Sequence, residues 1–191
     1  MARLDKKLNI IIDVEMADGS KGYVHSMPIS REVFEQHFLV ISKVVTAIYV
    51  EGLTTLGGPR IAALLLRQIA RDLGVWEGPG GVQEALMAEL RRLSNLALST
   101  AAGWTLIPLQ EAIDKKLIDD DSLVEMENAL VFFIVVSSTF RRNQLIQTLN
   151  SMGGLWATRC TQSNATEFVA SLRTSTETAI SGTSAASSEP T

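Results

Sequence analysis

The chain has 191 residues, a mass of 20.8 kDa, a formal charge of −4 and a pI near 5.2. Its 46% hydrophobic and 20% charged residues describe a globular domain and exclude a wholly disordered one. The acidic balance speaks against a general nucleic-acid binder, which is usually basic. A single cysteine, Cys160, excludes an internal disulfide framework and a cysteine-based zinc cluster, and fits a reducing compartment.

The first residues predict a β-hairpin. Leu8, Ile10, Ile12 and Val14 alternate with Asn9, Ile11, Asp13 and Glu15, a period of two that gives one apolar face. Asp18-Gly19-Ser20-Lys21-Gly22 is turn chemistry. Tyr23, His25, Met27 and Ile29 share one face of the second strand, and Pro28 marks an edge or strand end. A lone hairpin is marginal in water, so this one must join another sheet, pack on helices or enter a partner subunit.

The remainder predicts helices. Ser30 is an N-cap with Glu32 in the first turn, and Phe34, Phe38, Ile41, Val45 and Ile48 recur at helical spacing until Gly52. Pro59 suits a first helical turn, followed by a stripe of Ile61, Leu64, Leu65, Ile69 and Leu73 that Gly74 ends. Glu77–Gly81 reads as a loop, and Leu86, Leu90, Leu93 and Ala97 as a third helix. Gly103 and Pro108 bracket a break before a short helix around Leu109–Leu117. Asp119, Asp120, Asp121 and Ser122 form an acidic start for a long helix, whose stripe runs through Leu123, Met126, Leu130, Phe133 and Ile134 and on to Phe140–Leu149. From Ser171 onward serine and threonine supply 11 of the last 21 residues, too little apolar surface to offset the entropy of ordering. The expectation is a mainly α chain: an N-terminal β-hairpin over 1–29, a helical domain over 30–172 and a disordered Ser/Thr-rich tail over 173–191.

Catalytic and ligand motifs are sparse. His25 and His37, the only histidines, fall on different predicted elements, and no nucleophile elbow accompanies them. Gly78-Pro79-Gly80-Gly81 lacks the Lys-Ser/Thr ending of a phosphate loop. The aspartate run lacks the spacing, glycine and closing glutamate of a calcium loop. No signal-peptide pattern follows the N-terminus. The longest uninterrupted apolar run, the eight residues Ala129–Val136, falls short of the roughly 20 a membrane span needs. No metal, cofactor, nucleic acid or membrane is expected.

The informative feature is apolar excess. Ala129–Val136 is hydrophobic all round, and Phe38–Ile41 and Leu64–Leu66 are broad. Such helices sit in a core or are covered by another copy or a partner. Phe34, Phe38, Ile41, Leu65, Ile69, Leu130, Phe133 and Ile134 are the candidates for folding or partner contact. Arg60, Arg67 and Arg71, spaced i, i+7 and i+11 on one helix face, are a secondary candidate for an acidic partner, beside the plainer reading as a solvated face.

The stretch Pro28–Glu35, the helix end Thr46–Tyr49, the run Gly57–Ala63 and the C-terminal run Asn164–Thr176 together resemble the tail assembly chaperones of long-tailed bacteriophages. The resemblance spans about residues 28–176. It implies a non-enzymatic factor of the host cytoplasm that coats and solubilises the helical tape measure protein, helps recruit tail tube protein, and leaves before the tail is complete. Many members also make a longer product by translational frameshifting. No catalytic residue is implied. Two other classes stay open: a tail or neck subunit retained in the virion, its hairpin completing a neighbour's sheet, and a helical enzyme with a site assembled from distant residues.

Overall fold

The computed structural model describes residues 2–52, 57–139 and 161–172. Five antiparallel strands lie side by side in chain order: β1 (Ala2–Leu4), β2 (Ile10–Glu15), β3 (Lys21–Ser26), β4 (Ser94–Thr100) and β5 (Gly103–Pro108). Between β3 and β4 the chain builds α1 (Arg31–Gln36), α2 (Phe38–Val50), α3 (Gly58–Asp72), a π-helical turn (Val82–Met87) and α4 (Ala88–Arg92). After β5 come α5 (Leu109–Asp114) and α6 (Asp120–Thr139), and residues 165–172 form a short helix.

Strand alternation gives the sheet two different faces. Ala2, Ile12, Val24, Leu96 and Ile107 stand in one cross-strand row, and the first four are buried in the core shared with the helices. α6 lies over this face. Its segment from Leu130 to Val136 is buried at every position, which an all-round apolar helix requires. α6 starts under firm local control. The Asp119 carboxylate accepts the N–H groups of Asp121 and Ser122 at 3.1 and 3.2 Å, and the Ser122 hydroxyl accepts the Glu15 N–H at 3.0 Å, tying the helix start to the end of β2. Asn128, buried in the middle of α6, accepts the Ala63 N–H at 2.9 Å and so ties α6 to the second turn of α3.

The expected mainly α architecture is overturned by β4 and β5. The third helix, expected to run to Ala97, stops at Arg92. From Ser94 the pattern has period two: Leu96 turns to the helical layer while Asn95 and Ala97 turn away. The free edge of β3 supplies the backbone partners a solitary hairpin lacks, with Val24 opposite Leu96. The N-terminal hairpin is therefore part of a larger sheet. Its second strand ends at Ser26, so Met27 and Ile29 fall beyond it. The helix expected from Ser30 to Gly52 is broken at His37 (φ −107°, ψ 13°) into α1 and α2. The expected helix over Phe140–Leu149 and the tail over 173–191 lie outside the described residues.

The second face of the sheet carries a polar network and a lid. Asp5 is 1% exposed. Its carboxylate accepts the N–H groups of Lys7 and Asn9 at 2.8 and 3.0 Å and the Asn9 side-chain amide at 2.7 Å, and lies 3.0 Å from His25 Nε2. This network fixes the loop between β1 and β2 against β3. Alongside it, the segment 161–172 crosses the sheet. Phe168 is buried and meets Tyr23 edge-on at 5.4 Å, Arg3 stacks over both rings, and the Lys6 N–H bonds the Gln162 carbonyl at 2.9 Å.

Removing a buried acceptor strands several donors at once in a dry interior. Asp5→Ala is expected to lower the unfolding free energy by about 3–5 kcal/mol, read as a lower urea midpoint at unchanged slope.

Candidate functional site

The expected contact residues separate into two groups. Ile41, Leu130, Phe133 and Ile134 are at most 3% exposed. They pack in the centre with Leu66, Leu86 and Leu90 and serve folding. Phe34, Leu65 and Ile69 are half-buried, their inner sides against the core. Phe38 is 54% exposed and meets Phe34 edge-on at 5.7 Å.

Phe38 is one of several apolar side chains left in solvent on α2. Leu39 is 60% and Val50 76% exposed, with Tyr49 also exposed. The pairs Phe38/Tyr49 and Leu39/Val50 are each eleven residues apart, about 20° of rotation on an α-helix, so each pair lines up along one side of α2. The opposite side, through Val40, Ile41, Val44 and Ile48, is the one the core takes. Where the start of α2 meets the end of α3, Leu39, Val40, Leu73 and Val75 line a cleft of about 270 Å³ that Gln36, His37 and Gly80 complete. Val75 is 40% exposed. The result is two apolar pairs at the ends of α2, Phe38/Leu39 and Tyr49/Val50, with Ser42, Lys43 and Thr46 between them on the same side and a cleft beside the first pair; the polar groups of the cleft present no convergent chemistry.

His37, where α1 gives way to α2, is 5% exposed, and its Nε2 has no hydrogen-bond partner. Burial pushes the imidazole below its ordinary value of 6.5 because a charged ring there loses its water. His25 lies far from it, in the Asp5 network on the second face of the sheet. The two imidazoles thus occupy separate environments. The hydroxyls next to His25 in the strands, Ser26 and Ser94, bond to one another at 2.8 Å on the opposite face.

Arg60, Arg67 and Arg71 are all exposed on α3. The guanidinium groups of Arg67 and Arg71 lie over the ring of Trp76 at 5.7 and 5.9 Å. The stripe therefore shelters a nearly buried tryptophan as well as facing solvent. A hollow of about 410 Å³ lies between the starts of α3 and α6 and is lined by Arg60, Asp13, Ser122, Glu125 and Asn128 among others. Asn128 and Ser122 spend their oxygens on backbone donors. Among the described residues no group of three or more His, Cys, Asp or Glu side chains comes together as a metal site would.

The chain matches no family model, no curated protein and no solved structure.

Leu39, Val50 and Val75 were not among the expected contact residues. The signal for Leu39 and Val50 is the spacing: a helix with apolar residues on two sides has only one side to give to the core. For Val75 no sequence signal exists, since it follows the helix-ending Gly74 and is placed by the fold of the loop.

Two measurements probe this region. Phe133→Asp places a charge in the closed centre and is expected to abolish folding, whereas Phe38→Asp is expected to change stability by less than about 0.5 kcal/mol; circular dichroism melts separate them. Because folding depresses the His37 pKa, the unfolded chain binds the proton more readily. The His37 contribution is thus fully felt at neutral pH, and stability falls as pH drops through 6.5 toward the lowered folded value. Urea midpoints at several pH values are expected to show a shallower acid loss for His37→Phe than for the unaltered chain.

Proposed function

We propose that this chain is a non-enzymatic tail assembly chaperone that shelters a phage tape measure protein on the outer face of α2 and helps bring tail tube protein to it in the host cytoplasm. The observation that carries the reading is the exposure of Phe38 and Leu39 beside the cleft, with a second apolar pair, Tyr49 and Val50, three turns along the same side of α2. These side chains are unburied although the same helix gives four residues to the core, and exposed apolar surface of this kind marks interaction sites. An amphipathic helix laid in a groove is recognised through anchors spaced by helical turns, the chemistry a tape measure helix offers. The resemblance of Pro28–Glu35, Gly57–Ala63 and Asn164–Thr176 to the chaperone family supports the same client.

The reading also accounts for the division of labour among the side chains. Contact made with exposed residues on one helix can form and break without opening the core, as release before tail completion requires. The absence of any catalytic role in the family agrees with a face built from aliphatic and aromatic groups.

Co-expression with the tape measure protein of the same phage is expected to move that protein into the soluble fraction. Phe38→Asp combined with Leu39→Asp is expected to reduce capture at least about tenfold, as loss of clustered apolar anchors does, while the melting profile stays in place. Unchanged solubility of the tape measure protein, or retention of the chain in mature particles, overturns the reading.

A further inference from the structure

We propose that the exposed ridge formed by the first turns of α6 and the outer side of α3 is a self-complementary interface through which two copies of this chain pair about a two-fold axis. The proposal is independent of the client face on α2.

The two helices pack side by side. Arg60 shares a hollow with Glu125, Asn128 and Ala129, Asn128 bonds the backbone of Ala63, and Leu66 lies in one cluster with Val131, Ile134 and Val135. These contacts advance together along both helices, so α3 and α6 run in the same direction and the first turns of α6 extend beyond the start of α3.

The two ends of the ridge carry opposite charge. On α3 the outward positions Arg60, Leu64, Arg67 and Arg71 follow the spacing 4, 3, 4, which keeps one side of a helix in register over about 16 Å. All four are exposed, Leu64 at 62%. On α6 the outward residues are Asp120, Asp121, Val124 and Glu125, all exposed, with Val124 at 59%. Among the described residues none of the three arginines has a carboxylate partner, and none of Asp120, Asp121 and Glu125 has a cationic one. Of the other acids near the ridge, Asp72 accepts from the Gln68 amide at 2.9 Å and Asp13 pairs with Arg3 at 2.7 Å.

Each end thus has the same plan, one large exposed aliphatic side chain flanked by unpaired charges of a single sign. Within one molecule Arg60 shares a hollow with Glu125 without an ion pair, and Arg67 and Arg71 lie about two and three turns further along α3. In two copies placed antiparallel, the acidic end of each meets the basic end of the other twice over. That is the residue-i-to-j, j-to-i relation of an isologous interface. Leu64 and Val124 supply the apolar contact, and the charges set register and orientation.

The test is sedimentation equilibrium of the full chain across protein concentration and salt. At low ionic strength the mass is expected to rise toward twice 20.8 kDa, and to return to the single-chain value near 1 M salt, where the screening length falls to about 3 Å. Asp121→Arg with Glu125→Arg is expected to give monomer, as is Arg67→Glu with Arg71→Glu. An equimolar mixture of the two reversed proteins is expected to dimerise, because every reversed contact then meets its complement. The salt series and the acid-side reversal leave Trp76 untouched, so they decide the question even where the arginine pair is needed for folding. A chain that stays monomeric at low salt, a dimer indifferent to salt or to the acid-side reversal, or two folded reversed proteins that do not pair, overturns the proposal. Loss of tape measure capture in the arginine variant with no change in sedimentation also overturns it and assigns the stripe to an acidic client.

Discussion

The constraint on which the rest of this structure depends is the need to surround α6. From Leu130 to Val136 its side chains are apolar in every direction and every one is buried, so a single packing partner cannot satisfy it. The sheet provides one wall through Ile10, Ile12 and Val24, α3 another through Ala62 and Leu66, and α2 a third through Ile41 and Val44. The burial of this stretch removes most of its apolar area from water at roughly 25 cal/mol per Å². That outlay of hydrophobic surface explains why the strands, α2 and α3 are arranged around one helix. By length and composition α6 is apolar enough to cross a membrane, yet its apolar part is the centre of this fold.

Two consequences follow for the surface. With its inner side committed to α6, α2 has no second core to serve, and Phe38, Leu39, Tyr49 and Val50 remain in solvent. The break at His37 turns α2 away from α1 and makes room for the cleft lined by Leu39, Val40, Leu73 and Val75. The exposed side chains of α2 and the charged ridge lie on different helices, so pairing along α3 and α6 would leave Phe38, Leu39, Tyr49 and Val50 uncovered.

The second face of the sheet is stabilised in another way. Ile11, His25 and Ala97 would meet water there, and a buried polar network with a short helix closes it instead. The helix over 165–172 is capped reciprocally. Asn164 accepts the Glu167 N–H at 2.9 Å, and the Glu167 carboxylate accepts the Ser163 N–H at 2.8 Å, an arrangement akin to a capping box. The run Asn164–Phe168 thus has a local role in placing Phe168 on Tyr23.

The sequence by itself determined what is governed by neighbours along the chain. The hairpin of β2 and β3 was written in the alternation of Ile10, Ile12 and Val14 and in the turn at Gly19, whose φ of +79° favours glycine. The start of α6 was written in Asp119, and the surrounded state of Phe133 and Ile134 in an apolar run with no polar side. Only the tertiary structure decided the rest, because it turns on contacts between residues far apart. Leu90, Leu93 and Ala97 fit a helical spacing as well as Leu96 and Leu98 fit a strand, and the choice was made by the unpaired edge of β3, some seventy residues earlier. In the same way, periodicity marked Phe38 and Ile41 alike as apolar helix positions. Which of them faces water depends on the side from which α6 approaches, a direction that no local pattern encodes.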